Sequence, residues 1–422
     1  MAPLLSICVP SRNRQKYFKE TIKSLLKSPL DNVQFVLADN SDDASIMADF
    51  MADIGKDPRV VFLPPAGTAL SMVDNWERTV AATTGDWIVV IGDDDYVDPN
   101  VATLIQTITA VEPDLEALQW HVMYYGWPHE GREKHSVLVS LEDYVTKVPQ
   151  PDLFRRMFGW VGAAHVPMSG FSIYHTAISR KLVEKIKKNF GDRYFEHPVV
   201  DYDSAFKIIC TGRNFAATAR PFSILGSCPE SNSFSLGNMD LYKKRIKEFI
   251  SEAGGEFENQ PHIRDFPFKS VLGTSATIIQ AQNWFKQKYK LKYEGWERNF
   301  VKACVHDVAQ YIDREAYELA CEGYRTALNA WKGGKYLEDF TPKFRGDTIG
   351  IHATGFTTGG VYVDGGVAST PGELFAIVED MVIAAKDIKV DPTGLKTYGQ
   401  GDTSQERAAD QADFKKTGSR HR

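Results

Sequence analysis

Short apolar runs alternate with amphipathic segments from residue 4 to residue 111. Apolar runs rich in β-branched residues predict strands at 4–9, 33–38, 60–63 and 87–91. Apolar positions three and four residues apart predict helices at 17–27, 44–54, 72–82 and 99–111. Strands and helices that alternate in this order predict an α/β fold, with a parallel sheet that has helices on both faces.

The pattern changes twice along the rest of the chain. Up to residue 225 it predicts strands at 115–125, 137–141, 170–173 and 216–225, and helices at 179–190 and 203–210. Beyond about residue 240 it becomes helical, with segments at 241–253, 268–288, 297–328 and 373–386. Residues 346–370 are rich in Gly and Thr and predict a hairpin or loop. We therefore expect an α/β domain at 1–235, a mostly helical C-terminal region at 236–390 and a polar, disordered tail at 391–422.

Composition narrows the class of protein. The chain of 422 residues is 43% hydrophobic and 12% aromatic, which is typical of a globular protein with a sizeable core. Its net charge of -6 gives no overall indication of nucleic-acid binding. It contains no apolar run long enough for a transmembrane helix, and its N-terminus lacks the basic region of a signal peptide. Five scattered cysteines without a Cys-x-x-Cys pair favour reduced thiols and a cytoplasmic location.

Three consecutive carboxylates, Asp93, Asp94 and Asp95, follow the apolar strand at 87–91 and Gly92. Ligands of open α/β sheets bind at the carboxyl ends of the strands, where this cluster would lie. Because three adjacent negative charges repel one another, we expect a cation beside them. A hard divalent cation held together with a substrate diphosphate satisfies this requirement. The alternative is a solvated acidic turn.

Two other strand ends carry polar residues suited to a nucleotide. The first strand runs into Pro10, Ser11, Arg12, Asn13 and Arg14, so that backbone amides and Arg12 or Arg14 would reach a phosphate at this edge. A solvated basic loop is the alternative. The second strand ends at Asp39, whose carboxylate would accept a hydrogen bond from a base N–H, whereas Asp42 or Asp43 would cap the next helix.

Taken together, residues 4 to about 230 resemble the family-2 nucleotide-sugar glycosyltransferases of the GT-A fold. The resemblance rests on residues 6–14, on 36–43, on Asn75 with Gly85 and Asp86, and on 91–99. It implies a mixed, mostly parallel sheet, an Asp39 that contacts the base, most often uracil, and an Asp-x-Asp motif at Asp93 and Asp95. It further implies that Asp93 lies near the ribose or sugar and that Asp95 binds Mn²⁺ or Mg²⁺ on the diphosphate. Asp94, at the variable middle position, is counted with the donor-binding residues.

The same resemblance implies a carboxylate base at the start of a later helix. The matching segment is Val199-Val-Asp-Tyr-Asp203, where the family often has Glu-Asp and this chain has Val200-Asp201. We choose Asp201 as the base, because Asp203 would stabilise the start of the helix. Two readings stay open, namely Asp203 as the base and a purely structural role for both carboxylates. A base takes the proton of the acceptor hydroxyl, and a metal ion stabilises the leaving diphosphate.

The sequence therefore predicts a metal-dependent, inverting glycosyltransferase that uses a nucleotide-diphosphate sugar, with UDP as the expected nucleotide. The helical C-terminal region would shape the acceptor site or mediate assembly. One alternative is a sugar nucleotidyltransferase, which the lack of glycine in the 10–14 loop disfavours. The other is a non-catalytic glycan-binding or assembly protein, which the complete set of carboxylates disfavours. For the histidines (His165, His175, His197) and tryptophans (Trp120, Trp127, Trp160) near these motifs, a structural role is favoured over ligand binding.

Overall fold

The computed structural model describes residues 3–129, 135–235, 238–252, 254, 259–346 and 354–397. Its strands are β1 Leu5–Ser11, β2 Val33–Asp39, β3 Val60–Leu63, β4 Trp87–Val90, β5 Tyr96–Val97, β6 Ala117–Gly126, β7 Ser136–Ser140, β8 Val145–Lys147, β9 Thr176–Ser179, β10 Phe215–Ser227, β11 Gly355–Thr357 and β12 Gly360–Asp364. Its α-helices are α1 Gln15–Leu25, α2 Ser45–Ile54, α3 Met72–Ala81, α4 Val101–Val111, α5 Gln150–Met157, α6 Arg180–Asn189, α7 Val200–Thr211, α8 Met239–Glu252, α9 Pro261–Arg264, α10 Thr274–Lys288, α11 Glu297–Val308, α12 Arg314–Ala330 and α13 Pro371–Val378.

Nine strands form one mixed sheet in the order β3-β2-β1-β4-β9-β6-β10-β5, with β8 also paired to β10. The strands β3, β2, β1 and β4 are mutually parallel, and β6 and β10 form a second parallel pair. The short strand β9 runs antiparallel to both of its neighbours and joins the two halves. The predicted fold class, a mostly parallel α/β sheet flanked by helices with a helical C-terminal region, is confirmed.

Alternation along the central strands places two hydrophobic cores on the two faces of the sheet. Ile7 and Val9 of β1 belong to the core beneath α1 and α4, whereas Cys8 between them belongs to the core beneath α6 and α7. Side chains of successive strand residues point to opposite faces, and a strand that is apolar at every position is therefore buried on both sides. The sequence pattern of β1, β2 and β4 already indicated this arrangement.

Several predicted elements differ from those observed. The strand expected at 170–173 is absent; this segment forms bends, with Gly170 at a φ of 80°, and the strand is β9 instead. The helix expected from 203 begins at Val200, so that Asp201 and Asp203 both lie in the first turn of α7. The single helix expected at 297–328 is divided into α11 and α12, and the last helix ends at Val378 rather than at 386.

The helices that follow the sheet domain have a core of their own, built around Phe268, Phe300, Tyr324 and Trp331. Trp160 of the sheet domain belongs to this core, and its indole Nε1 donates to Gln282 Oε1 over 3.0 Å. None of the helices in the described part of the chain has the length and apolar composition needed to cross a bilayer.

Residues 354–397 lie against the sheet domain. β12 pairs with β7, and the buried guanidinium of Arg220 donates from Nε to the carbonyl of Ile383 and pairs with Asp98 over 3.1 Å. Thr397 forms a bridge with Lys147 of β8. Of the tail predicted at 391–422, residues 398–422 lie outside the described residues, and the division of the chain at residue 235 stays a prediction.

Candidate active site

The carboxyl ends of β1, β2 and β4 bring the predicted site residues to one edge of the sheet. Ser11, the last residue of β1, is in register with Asp39, the last residue of β2. The hydroxyl of Ser11 donates to Asp93 Oδ2 over 2.6 Å, in the loop that follows β4. Parallel strands end at the same edge, so three sequence-distant motifs meet there.

Arg14 is the cation beside the acidic cluster. Its Nη2 lies 2.5 Å from Asp93 Oδ1 and its Nη1 lies 3.6 Å from Asp94 Oδ1. Burial raises the pKa of Asp93 against the opposing effect of Arg14, and burial likewise raises the pKa of Asp94. Burial disfavours the charge on Arg14, but Asp93 and Asp94 outweigh it and raise the pKa of the guanidinium. Positive charge at this edge therefore comes partly from the protein itself.

Asp95 is held by four donors from three parts of the chain. Its Oδ2 accepts hydrogen bonds from the amide of Gly92 (2.6 Å) and the hydroxyl of Tyr174 (2.6 Å), and lies 3.0 Å from His175 Nε2. Its Oδ1 accepts from the amide of Gly226 over 2.7 Å. Burial opposes ionisation of this carboxyl, but His175, Tyr174 and Gly226 prevail and lower its pKa. Asp95 is therefore a buried, ionised and oriented carboxylate.

Gly226 permits the close approach of β10 to the acidic loop. A Cβ at this position would lie 1.7 Å from the backbone oxygen of Asp94. We expect Gly226→Ala to push β10 away from Asp95 and to lower the free energy of unfolding by about 1–3 kcal/mol, as overpacking does. Urea unfolding followed by circular dichroism measures this change. Gly67→Ala is the matched control, since its Cβ meets nothing within 4 Å; equal midpoints for both variants would contradict the prediction.

Asp39 is fully buried, and one of its carboxylate oxygens is available to a ligand. Its Oδ1 accepts from the amide of Ser41 over 2.9 Å, whereas Oδ2 is buried without a hydrogen-bond partner among the described residues. Its backbone carbonyl accepts from Arg78 Nη2 over 2.6 Å, and Arg78 Nε is in turn held by Asn75 Oδ1. A buried acceptor without a partner costs about 1–3 kcal/mol, so this oxygen is suited to an N–H of a ligand.

The other residues of the first loop have different roles. Pro10 lies within β1, where it carries no N–H. Arg12 is part-exposed, donates to the carbonyl of Leu70 and lies 3.7 Å from both Asp42 and Glu252. Unlike Arg14, it is therefore not bound to the acidic cluster. Asp43 Oδ1 accepts from the amide and hydroxyl of Ser45, but the N-cap residue of α2 is Ala44, which makes no side-chain cap hydrogen bond, so the cap expected of Asp42 or Asp43 is not observed.

The two candidate bases on α7 differ in their surroundings. Asp203 Oδ2 accepts from the amides of Glu196 and His197 and forms a fully buried ion pair of 3.0 Å with Lys207 Nζ. Asp201 is part-exposed, accepts only a local hydrogen bond from the amide of Tyr202 and has no cationic partner in the described part of the chain. Burial raises the pKa of Asp201. Asp203 Oδ1 also has no partner among the described residues but is buried, so Asp201 is the one of these two carboxylates that is accessible from solvent.

Some of the observed site residues were not predicted. Tyr174, His175, Gly226 and Arg78 all contact the carboxylate motifs, yet they lie outside those motifs in sequence. No spacing signal connects them to the motifs, because the contacts of Tyr174, His175 and Gly226 arise from the pairing of β9 and β10 with the rest of the sheet, and Arg78 reaches Asp39 from helix α3. The three tryptophans near the motifs, Trp120, Trp127 and Trp160, are buried, in agreement with the structural role favoured for them.

The carboxylate oxygens of the acidic cluster are of the kind that hard divalent cations prefer as ligands. Within the described ranges, no three His, Cys, Asp or Glu side chains are grouped so as to hold a metal ion by themselves. Divalent cations of this kind often take only one or two carboxylates and complete their shell with phosphates and water. Among the described residues, Asp95 Oδ1 accepts a single hydrogen bond and keeps a lone pair. This oxygen fits such an ion bound together with a diphosphate.

Known proteins are similar to this chain at two levels, a family model and solved structures. The model of the family described as glycosyl transferase family 2 matches residues 6–183, less than half of the chain. Similar solved structures include S. aureus TarS 1–349 (11% identity, 80% of this chain and 88% of that chain, TM-score 0.41), and the same protein in complex with UDP-GlcNAc (12%, 80% and 89%, 0.43) and with UDP (12%, 80% and 88%, 0.40). No curated protein sequence matches. The matched segment includes the strand ends that carry Asp39 and Asp93 to Asp95, the same motifs on which the resemblance in sequence rests.

Proposed function

We propose that this protein is an inverting, metal-dependent glycosyltransferase that moves a sugar from a nucleotide-diphosphate donor, with UDP as the nucleotide, to an acceptor hydroxyl. The observation that carries the donor assignment is the buried Oδ2 of Asp39, which has no partner among the described residues and lies one strand from the Arg14–Asp93 pair. A nucleotide along this edge supplies a base N–H for Asp39 and phosphates for Arg14.

Each charged group has a distinct task in this proposal. Arg14 places its permanent positive charge beside the diphosphate while its Nε and Nη2 hold Asp93. The backbone of the Pro10 to Arg12 loop borders the phosphates together with Arg12. Asp93 and Asp94 bind the ribose or sugar, and Asp95 holds the divalent cation. When bound, that cation stabilises the negative charge of the leaving diphosphate. The carboxylate of Asp95 needs no reorientation, because four donors already hold it.

Asp201 accepts the proton of the acceptor hydroxyl as that oxygen attacks the anomeric carbon. The base has to lie on the face of the sugar opposite the leaving diphosphate, so a single displacement inverts the configuration. A hydrogen bond connects helix α7 to the segment that contacts Asp95. The amide of Ile173 donates to Ser204 Oγ of α7 over 3.0 Å, and the next two residues in the chain are Tyr174 and His175. This connection supports a base on α7 that keeps a constant position relative to Asp95.

Isothermal calorimetry against UDP, GDP, CDP and dTDP, with and without Mn²⁺, tests the donor assignment. We expect one nucleotide, UDP, to bind in a metal-dependent manner, and Asp95→Ala to abolish the metal dependence. Asp39→Asn places an amide N–H₂ where Oδ2 accepts, and we expect it to weaken UDP binding about 10–100-fold, the loss of one hydrogen bond to a charged group.

Asp53→Asn is the control for both variants, because the Asp53 side chain is 87% exposed on α2 and carries only a surface ion pair. Failure of every nucleotide to bind, with or without metal, would overturn the proposal. Tight binding of a nucleoside triphosphate together with a sugar phosphate would instead favour the sugar nucleotidyltransferase.

A further inference from the structure

Tyr174 and His175 are adjacent residues whose side chains converge on one oxygen atom. The Tyr174 hydroxyl donates to Asp95 Oδ2 over 2.6 Å, and His175 Nε2 lies 3.0 Å from the same oxygen. A carboxylate only accepts hydrogen bonds, so the proton of the imidazole is assigned to Nε2. Neither residue belongs to the motifs by which the domain is recognised, and both reach Asp95 from the start of β9.

The backbone of His175 adopts a left-handed conformation with a φ of 58°. Such a conformation is uncommon outside glycine and costs of order 1–3 kcal/mol, and it persists only where the surrounding structure imposes it. Two backbone hydrogen bonds impose it here. The amide of His175 donates to the carbonyl of Val90 over 3.0 Å, and the amide of Val90 donates to the carbonyl of Ile173 over 2.9 Å. The end of β4 therefore fixes the point from which the imidazole projects.

The His175 side chain is only 4% exposed, and its Nδ1 has no hydrogen-bond partner among the described residues. A histidine retained only for packing would leave both of its nitrogens buried at a cost. Here one nitrogen contacts Asp95 and the other has no partner among the described residues. The contact with Asp95 is therefore the polar interaction that accounts for a histidine at this position.

We propose that Tyr174 and His175 are positioning residues that hold the Asp95 carboxylate in one orientation before the donor and its cation bind. This inference rests on the proposed function, since it assumes that Asp95 belongs to the donor site. A carboxylate that rotates freely about its terminal torsion loses conformational entropy when the ligand binds. A carboxylate already held by two side-chain donors loses less, so binding is tighter. Loss of groups that orient a ligating residue typically costs 10–100-fold in affinity.

Three variants separate this positioning role from simple packing. Tyr174→Phe removes only the hydroxyl and keeps the ring that lies 6.0 Å from Trp76. His175→Asn tolerates the left-handed backbone, but its amide is too short to replace Nε2. His175→Gln carries an amide nitrogen of about the right reach and therefore serves as the conservative variant that restores the donor.

Calorimetry measures the affinity for UDP with and without Mn²⁺, and steady-state kinetics measures KM for the donor and kcat. We expect Tyr174→Phe and His175→Asn to lose about 10–100-fold of the UDP affinity that depends on Mn²⁺ and to raise KM more than they lower kcat. His175→Gln is expected to recover most of this affinity. Thermal unfolding shows whether each variant is folded, and Tyr174→Phe decides the question if the His175 variants are not.

The possible failures are distinguishable. If the unmodified protein binds no nucleotide, the proposed function falls and this inference falls with it. If the unmodified protein binds UDP in a metal-dependent manner and folded Tyr174→Phe and His175→Asn bind it equally well, the donor site stands and the positioning role is overturned. Equal losses in His175→Asn and His175→Gln without a change in Tyr174→Phe would also overturn it, because the restored donor would then have had no effect.

Discussion

Asp201→Asn is expected to lower kcat by about 10²–10⁴-fold, the usual contribution of a general base, while the affinity for the nucleotide stays unchanged. The amide keeps the shape of the carboxylate and its local hydrogen bond from Tyr202, but it cannot take up a proton. Single-turnover transfer assays measure the first quantity and calorimetry measures the second. The exposed Asp53→Asn is again the control.

A normal kcat in Asp201→Asn would show that Asp201 is not the general base. A variant with weakened nucleotide binding would instead place Asp201 in the donor site.

The pH dependence of kcat is an independent test of Asp201 as the general base. Burial raises the pKa of Asp201, so this group stays protonated, and inactive as a base, up to a higher pH than an ordinary aspartate. The acid limb of kcat is therefore expected above the usual aspartate range, with kcat rising as pH increases through the raised pKa. Asp201→Asn should remove that limb from its residual activity.

Lys207→Met is expected to lower the free energy of unfolding by about 3–5 kcal/mol, which is the largest stability effect that we predict. Lys207 is 0% exposed, and its Nζ lies 3.0 Å from both Asp203 Oδ2 and Glu196 Oε2. Methionine has about the same length but no charge, so Asp203 would be left buried and unpaired. Urea unfolding measures the loss.

The double variant Lys207→Met with Asp203→Asn is the matched comparison. It removes both charges, while the asparagine oxygen still accepts from the amides of Glu196 and His197, and we expect it to recover part of the lost stability. If the single and double variants were equally unstable, the uncompensated charge would not be the cause.

The destabilisation by Lys207→Met should also depend on pH. Burial already raises the pKa of Asp203, and removal of Lys207, which lowers it, raises it further. The folded variant then binds a proton that the unfolded chain has released, so its stability falls as pH rises through the raised pKa. The difference from the unmodified protein should therefore be smaller at pH 5 than at pH 8.

The positions of Asp39, Asp93 and Asp95 at one edge followed from the sequence. Each comes directly after an apolar run, and parallel strands joined by helices end at the same edge of the sheet. The same reasoning placed Arg12 or Arg14 at this edge, without choosing between them. Sequence alone thus determined the α/β class and the strand ends that carry the site, and residues 6–183 match the model of glycosyl transferase family 2.

Contacts between elements distant in the chain were decided by the tertiary structure. The choice between Arg12 and Arg14 as the partner of Asp93 depended on which side chain the loop turns inward. Asp203 was distinguished from Asp201 by its pairing with Lys207, and Lys207 is buried only because α6, α7 and α10 pack together. Tyr174, His175 and Gly226 reach Asp95 through the pairing of β9 and β10 with the rest of the sheet, over separations of 79 to 131 residues. Local periodicity reports which face of an element is buried, but not which residue of another element lies opposite, and for that reason these contacts required the folded structure.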